Sequence, residues 1–171
     1  MKLTGLDVAI AGAGVGGLAL GTMLARFGAS VTLYDQMDAP RPVGSGFVLQ
    51  PTGAQILAAM GLLDIVAARG RRIDRMVGRL KDGGKPVLDV RYRSGEFGIA
   101  VQRVALFDTL FEAARAAGVT FEASARVSGV EPGPRARLVF QDGARSLPAD
   151  LVIDAMGANS PIGSRPDSEL S

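Results

Sequence analysis

Three glycines, Gly12, Gly14 and Gly17, form a GxGxxG arrangement inside AIAGAGVGGLALG (residues 9–21), and Asp35 follows eighteen residues after the third. Each position has its own task in holding a dinucleotide. The first glycine permits a tight turn, the second lets a pyrophosphate approach the backbone, and the third lets a helix pack closely on its strand. Free N–H groups at the helix start, those of Val15 and Gly16 among them, would meet the phosphates together with the positive end of the helix dipole. No lysine is needed. Asp35, with Gln36 beside it, stands where a carboxylate accepts hydrogen bonds from the two hydroxyls of an adenosine ribose. A 2′-phosphate would be repelled there, which disfavours NADP at this site. NAD and FAD share the ADP half, so the turn alone does not choose between them. The competing account makes the glycines a purely structural turn and Asp35 an ordinary turn residue.

Such a turn works only between a buried strand and a helix, and the flanking sequence supplies both. Residues 7–11 (DVAIA) are an apolar run ending in glycines, residues 15–27 have helical length and stop at Gly28, and residues 30–34 (SVTLY) are a second β-rich run. Together they make a βαβ unit, whose crossover is right-handed and whose strands are parallel. Residues 52–68 predict a helix broken at Gly61. In residues 76–92, apolar runs flank DGGK (82–85), and Leu88, Val90 and Tyr92 alternate with Asp89 and Arg91, which predicts a hairpin with one buried face.

Residues 104–117 form an amphipathic pattern, with Val104, Phe107, Leu110, Phe111 and Ala114 on one stripe, closed by Gly118. A strand over 119–123, an antiparallel meander over 127–147 turned at Asp142 and Gly143, and a last buried strand over 151–155 follow. The sum is an α/β fold of Rossmann type: a parallel sheet of four or more strands, the βαβ dinucleotide unit, the meander and part of a second sheet. The chain divides accordingly into 1–70, a hairpin segment at 71–100, a return to the first domain over 101–162, and a polar tail at 163–171 expected to be disordered.

Composition narrows the chemistry. The chain lacks cysteine and histidine, so thiolate and imidazole metal sites, disulfides and a histidine-based triad are excluded. Its +2 formal charge is mild, and the nearest basic patch, Arg69, Arg71, Arg72 and Arg75, has no interleaved aromatics. It reads as a solvated segment end rather than a nucleic-acid surface. Glycines and Asp7 interrupt the apolar start, and no run of apolar residues is long enough to span a membrane, so the expectation is a cytoplasmic protein without membrane or nucleic-acid partners.

Four stretches resemble the FAD-dependent monooxygenase family of the para-hydroxybenzoate hydroxylase type: VTLYDQ (31–36), RPVGSGFVLQPTGAQILAAMGLLD (41–64), VQRVALFDTL (101–110) and ADLVIDAMGANSPI (149–162). Their order matches the first half of that family along nearly the whole chain. The resemblance implies FAD as cofactor, with the glycine turn and Asp35 at its ADP end, Arg103 near the phosphates or ribityl chain, and Gly44, Ser45 and Gly46 in a loop beside the flavin. It places Val127 where backbone meets the adenine; a core valine is the alternative. Reduced flavin would activate oxygen for transfer to an aromatic or similar small molecule, with NAD(P)H as reductant. No side chain is assigned a catalytic role.

Two departures bear on the activity. Met156-Gly157 stands where the family usually has Asp-Gly, with Asp154 two residues earlier on the same strand face, and the DAMG form looks more like FAD-dependent reductases and halogenases. Family members are also roughly twice as long. The resemblance therefore implies an incomplete, truncated enzyme that would not turn over alone, with the hairpin's apolar face exposed or covered by self-association or a second polypeptide. A non-catalytic nucleotide-binding module and an NAD-dependent dehydrogenase are the remaining alternatives.

Overall fold

The computed structural model describes residues 2–38, 45–81 and 86–162. Gly44, the DGGK turn at 82–85 and the tail at 163–171 lie outside them. The chain forms two compact units, one of residues 1–41 and 110–171, the other of residues 42–109.

The first unit is built on a parallel sheet of four strands in the order β11-β1-β2-β8. These strands are β1 (Asp7–Ala11), β2 (Ser30–Tyr34), β8 (Thr120–Glu122) and β11 (Leu151–Asp154). β1 lies between β2 and β11, with Ala11 opposite Tyr34 on one side and Asp154 on the other. Helix α1 (Val15–Arg26) follows β1 directly and ends at Gly28, whose φ of +97° suits the residue that stops a helix.

Alternation along the strands divides the core into two layers. Ile10, Val31 and Leu33 meet α1 at Gly21, where each has an atom 3.5 Å from the position a Cβ would take. Ala9, Ala11 and Tyr34 point to the opposite face and pack with Val127, Leu138 and Ala149. Those last residues belong to the meander, where β9 (Val127–Glu131) pairs antiparallel with β10 (Arg137–Phe140). Isolated bridges of Ala136 to Ala149 and Val139 to Arg145 complete it. The turn falls at Asp142 and Gly143 as the sequence predicts: Asp142 Oδ1 accepts the Ala144 N–H at 2.9 Å, and Gly143 has φ +85°. Buried Ser146 is satisfied by accepting the Leu138 N–H and donating to the Leu147 carbonyl, at 2.9 and 2.8 Å.

The second unit holds a three-stranded antiparallel sheet, β3-β7-β4, made of β3 (Phe47–Leu49), β4 (Gly70–Ile73) and β7 (Gly98–Val101). Helices α2 (Pro51–Ala59) and α3 (Leu63–Ala68) are separated at Gly61, whose φ is +72°, at the break that the sequence predicts. Leu57, Leu62, Val66, Ile99 and Val101 are buried here. The boundary between units falls within α4 (Arg103–Ala116).

Three details differ from expectation. Arg71 and Arg72 are solvated as expected but lie within β4 rather than at a segment end, and Arg75 opens β5 (Arg75–Arg79). β5 pairs with β6 (Pro86–Arg91) as the predicted hairpin, and every residue of β6 is exposed, Val87 at 65%, which departs from the buried face its alternation predicts and agrees with the exposed face that the resemblance implies. Neither face of this ribbon is buried, because two strands alone bury almost nothing. An ion pair of Arg75 with Asp89 crosses it, and that guanidinium holds the Asp89 carboxyl below its ordinary range. Thirdly, the strand predicted over 151–155 stops at Asp154, for a reason given below.

Leu138 is fully buried between meander and sheet. Leu138→Ala should lower unfolding free energy by about 2–5 kcal/mol, read from urea denaturation followed by circular dichroism.

Candidate functional site

The glycine turn sits at the carboxyl end of β1, where open α/β sheets bind ligands. Its three glycines differ in what surrounds them. Gly12 has φ +103°, and a Cβ there would lie 2.6 Å from the Ala155 carbonyl oxygen. Gly17 is tighter: a Cβ would fall 2.0 Å from the Gly12 carbonyl oxygen and 3.3 Å from Leu33 Cδ2. Gly14 and Gly16 are the reverse, exposed and with nothing within 4 Å of a Cβ position. Gly12 and Gly17 therefore close the turn onto itself, while Gly14 and Gly16 leave room for something to approach.

Gly14 is the N-cap of α1, and it offers no side chain to the free amides. The first helical bond runs from the Leu18 N–H to the Gly14 carbonyl at 2.9 Å. The N–H groups of Val15, Gly16 and Gly17 precede it, and no acidic side chain occupies the first turn. An open cradle of backbone donors at a helix N-terminus fits a pyrophosphate.

Asp35 is half-buried beside this cradle. Its Oδ2 accepts the Ala13 N–H at 2.7 Å and its Oδ1 accepts the Met37 N–H at 3.0 Å. Each oxygen keeps a second acceptor position, so the carboxylate is oriented without being consumed. Gln36 is exposed next to it and accepts from Arg126 Nε at 3.1 Å; Arg126 also reaches Gln141 Oε1 at 3.4 Å. Sequence reasoning passed over Arg126, whose only signal is its place directly before Val127. Val127 itself is 7% exposed, with its side chain in the core between sheet and meander. Its neighbour in that core, Tyr34, has its hydroxyl pKa raised by burial first and by the negative Glu122 second, so the phenol stays neutral at ordinary pH.

The remaining predicted residues lie in the second unit. Gly46 approaches β7 closely, with a Cβ position 3.1 Å from the Val101 carbonyl oxygen. Arg103 is the first residue of α4 and its guanidinium lies 5.7 Å from the Phe47 ring centre. A cation at a helix N-terminus is opposed by the dipole, so an anion nearby would suit it. Gly46, Phe47, Arg69, Arg71 and Gln102 border an open cavity of about 600 Å³. Ser45 is exposed beside Gly46. Among the described residues, no group of three or more acidic side chains is arranged to hold a metal. None of the described helices is long and apolar enough to cross a membrane.

A family model described as an FAD binding domain matches residues 5–170. The chain belongs to this family of FAD-binding domains. It is 30% identical over 164 residues to an aurachin C monooxygenase/isomerase of Stigmatella aurantiaca, covering 93% of this chain and 42% of that protein. It is 31% identical over 159 residues to a 6-hydroxynicotinate 3-monooxygenase of Bordetella bronchiseptica, covering 90% and 41%. Among solved structures, a tetrameric form of 2-methyl-3-hydroxypyridine-5-carboxylic acid oxygenase superposes with a TM-score of 0.79 at 27% identity, over 94% of this chain and 42% of that one. The chain thus spans about two fifths of the length of these relatives.

Glycine substitutions should separate the two roles seen in the turn. Gly17→Ala forces α1 away from Gly12 and should fail to give a cooperatively unfolding protein. Gly14→Ala, whose methyl group meets open space, should keep its melting temperature within about 3 °C while FAD affinity drops at least about tenfold, read by quenching of flavin fluorescence.

Proposed function

We propose that this chain is the FAD-holding portion of a flavin-dependent monooxygenase acting on a small aromatic or heteroaromatic molecule. The observation that carries the reading is the open glycine cradle at the α1 N-terminus with an oriented Asp35 beside it. In this reading the N–H groups of Val15, Gly16 and Gly17 neutralise the pyrophosphate, and Asp35 accepts the ribose hydroxyls. Arg103 supplies the cation for a phosphate or the ribityl chain, with Ser45 and Gly46 in the loop next to the ring system. The Val127 backbone, rather than its buried side chain, is the part available to the adenine.

FAD, once bound and reduced by NAD(P)H, supplies the oxygen-activating chemistry, and the protein's part is to bind, orient and keep water out. The names of the relatives favour a ring bearing hydroxyl or carboxylate groups: a hydroxynicotinate and a hydroxypyridine carboxylic acid among them. Substrate residues and the complete activity belong to a longer chain than these 171 residues. The exposed apolar side chains of the hairpin, Val77, Val87 and Leu88, are where further polypeptide or a second copy would pack. The tetrameric oxygenase is a precedent for self-association. A cytoplasmic setting supplies the nicotinamide reductant.

Titration of the protein with FAD tests the reading. The flavin absorbance bands should shift and sharpen on binding, and the full-length protein should oxidise NAD(P)H faster when given a hydroxylated aromatic acid. A folded full-length protein that binds no flavin would overturn it.

A further inference from the structure

The loop after β11 contains an internal clamp that the glycine motif does not explain. Asp154 closes β11 and accepts the Met156 N–H through Oδ1 at 3.0 Å, the two-residue reach of an Asx turn. Its Oδ2 accepts the hydroxyl of Ser160 at 2.5 Å, and Ser160 Oγ in turn accepts the Ile162 N–H at 3.1 Å. Ser160 is 8% exposed. A further backbone bond runs from the Ser160 N–H to the Gly157 carbonyl at 3.1 Å, across a glycine with φ +81°. Met156 and Ile162 fasten the two ends of the loop by packing on the core beneath the meander.

This loop touches the dinucleotide turn itself. The Ala155 N–H donates to the Ala11 carbonyl at 2.8 Å, and the Ala155 carbonyl is the group that would collide with a side chain at Gly12. Its side of the sheet matters. β1 stands between β2, whose end Asp35 follows, and β11, which carries Asp154, so the chain leaves β1 for β2 on one side while β11 lies on the other. That is a topological switch point, and a ligand crosses the strand ends there. With its ribose at Asp35 and its pyrophosphate at the start of α1, a dinucleotide must send its other half over the loop at 155–162.

We propose that Asp154 and Ser160 are positioning residues that set this loop for the non-adenosine half of the cofactor, the ribityl and flavin of FAD. The inference rests on the FAD reading. Asp154 acts through the loop backbone: both its oxygens are engaged within the loop, and Met156 is turned into the core.

ADP carries only the adenosine half, so comparing it with FAD isolates the effect. In the full-length protein, Ser160→Ala and Asp154→Asn should weaken FAD binding about fivefold to tenfold while leaving ADP affinity within about twofold. Ser160→Thr, which keeps the hydroxyl, should restore FAD binding, and the Ser160→Ala/Asp154→Asn pair should lose no more than the worse single variant. Asp35→Ala should weaken both ligands. The clamp is refuted if the Ser160 and Asp154 variants bind FAD as the wild type does, or lose ADP and FAD equally. A wild type that binds ADP but not FAD removes the cofactor reading, and the clamp with it.

Discussion

The close approach of α1 to the end of β1 is the constraint on which the first unit depends. At Gly17 the helix backbone lies so near the Gly12 carbonyl that a methyl group would overlap the oxygen, with 2.0 Å between them. Gly12 is confined on its other side by the Ala155 carbonyl. Helix, turn and the loop after β11 are therefore stacked with no side chain between them. Bringing α1 this low also places Gly21 over Ile10, Val31 and Leu33, so the same contact that shapes the cradle seats the helix on the sheet. Stability and binding share one geometry here, and the four glycines of the segment at 12–17 divide between them: two are needed for packing, two for access.

The layering follows from that seat. Small residues on the other face of β1, Ala9 and Ala11, leave space that the Tyr34 ring and the meander's Val127 and Leu138 fill. Tyr34 stacks obliquely on Phe140, with ring centres 5.5 Å apart, which joins β2 to the turn of the meander. The sheet is thus covered by a helix on one side and a small antiparallel layer on the other, and its carboxyl edge is left for a ligand.

Much of this was legible in the sequence because the signals are local. The strand at 7–11, the helix after it, the strand at 30–34 and the acid at its end are specified by residues close together in the chain, as is the helix break at Gly61. What escaped depends on distant partners. β3 is three residues long and β4 is rich in arginine, so neither carries an alternating apolar pattern; each is a strand because β7 pairs with it. Alternation in β6 pointed to a buried face, yet burial needs a third layer that the hairpin does not have. At Asp154 the strand periodicity suggested a shared face with Met156. The carboxylate also bonds to the Met156 N–H, and the strand ends there, one residue before the predicted bound. The glycine turn and Asp35 were read from their spacing, and Arg103, Ser45 and Val127 from resemblance; local rules gave no hint of Arg126 bridging Gln36 and Gln141.

The two ends of the proposed ADP site use opposite means, and Ala13 links them. At the phosphate end no side chain is offered, only peptide N–H groups whose positions are fixed by the helix. At the proposed ribose end a single carboxylate is offered, and a free carboxylate would have to be ordered at a cost in side-chain entropy. Asp35 is already ordered: the Ala13 N–H, on the turn itself, holds one oxygen, and the Met37 N–H holds the other. Preorganisation of this kind leaves less to be lost on binding. It also means that the distance from phosphate cradle to ribose acceptor is set by one hydrogen bond between adjacent strands' ends. A change that moves the glycine turn moves Asp35 with it, so the two halves of the proposed ADP grip are a single rigid element rather than two independent contacts.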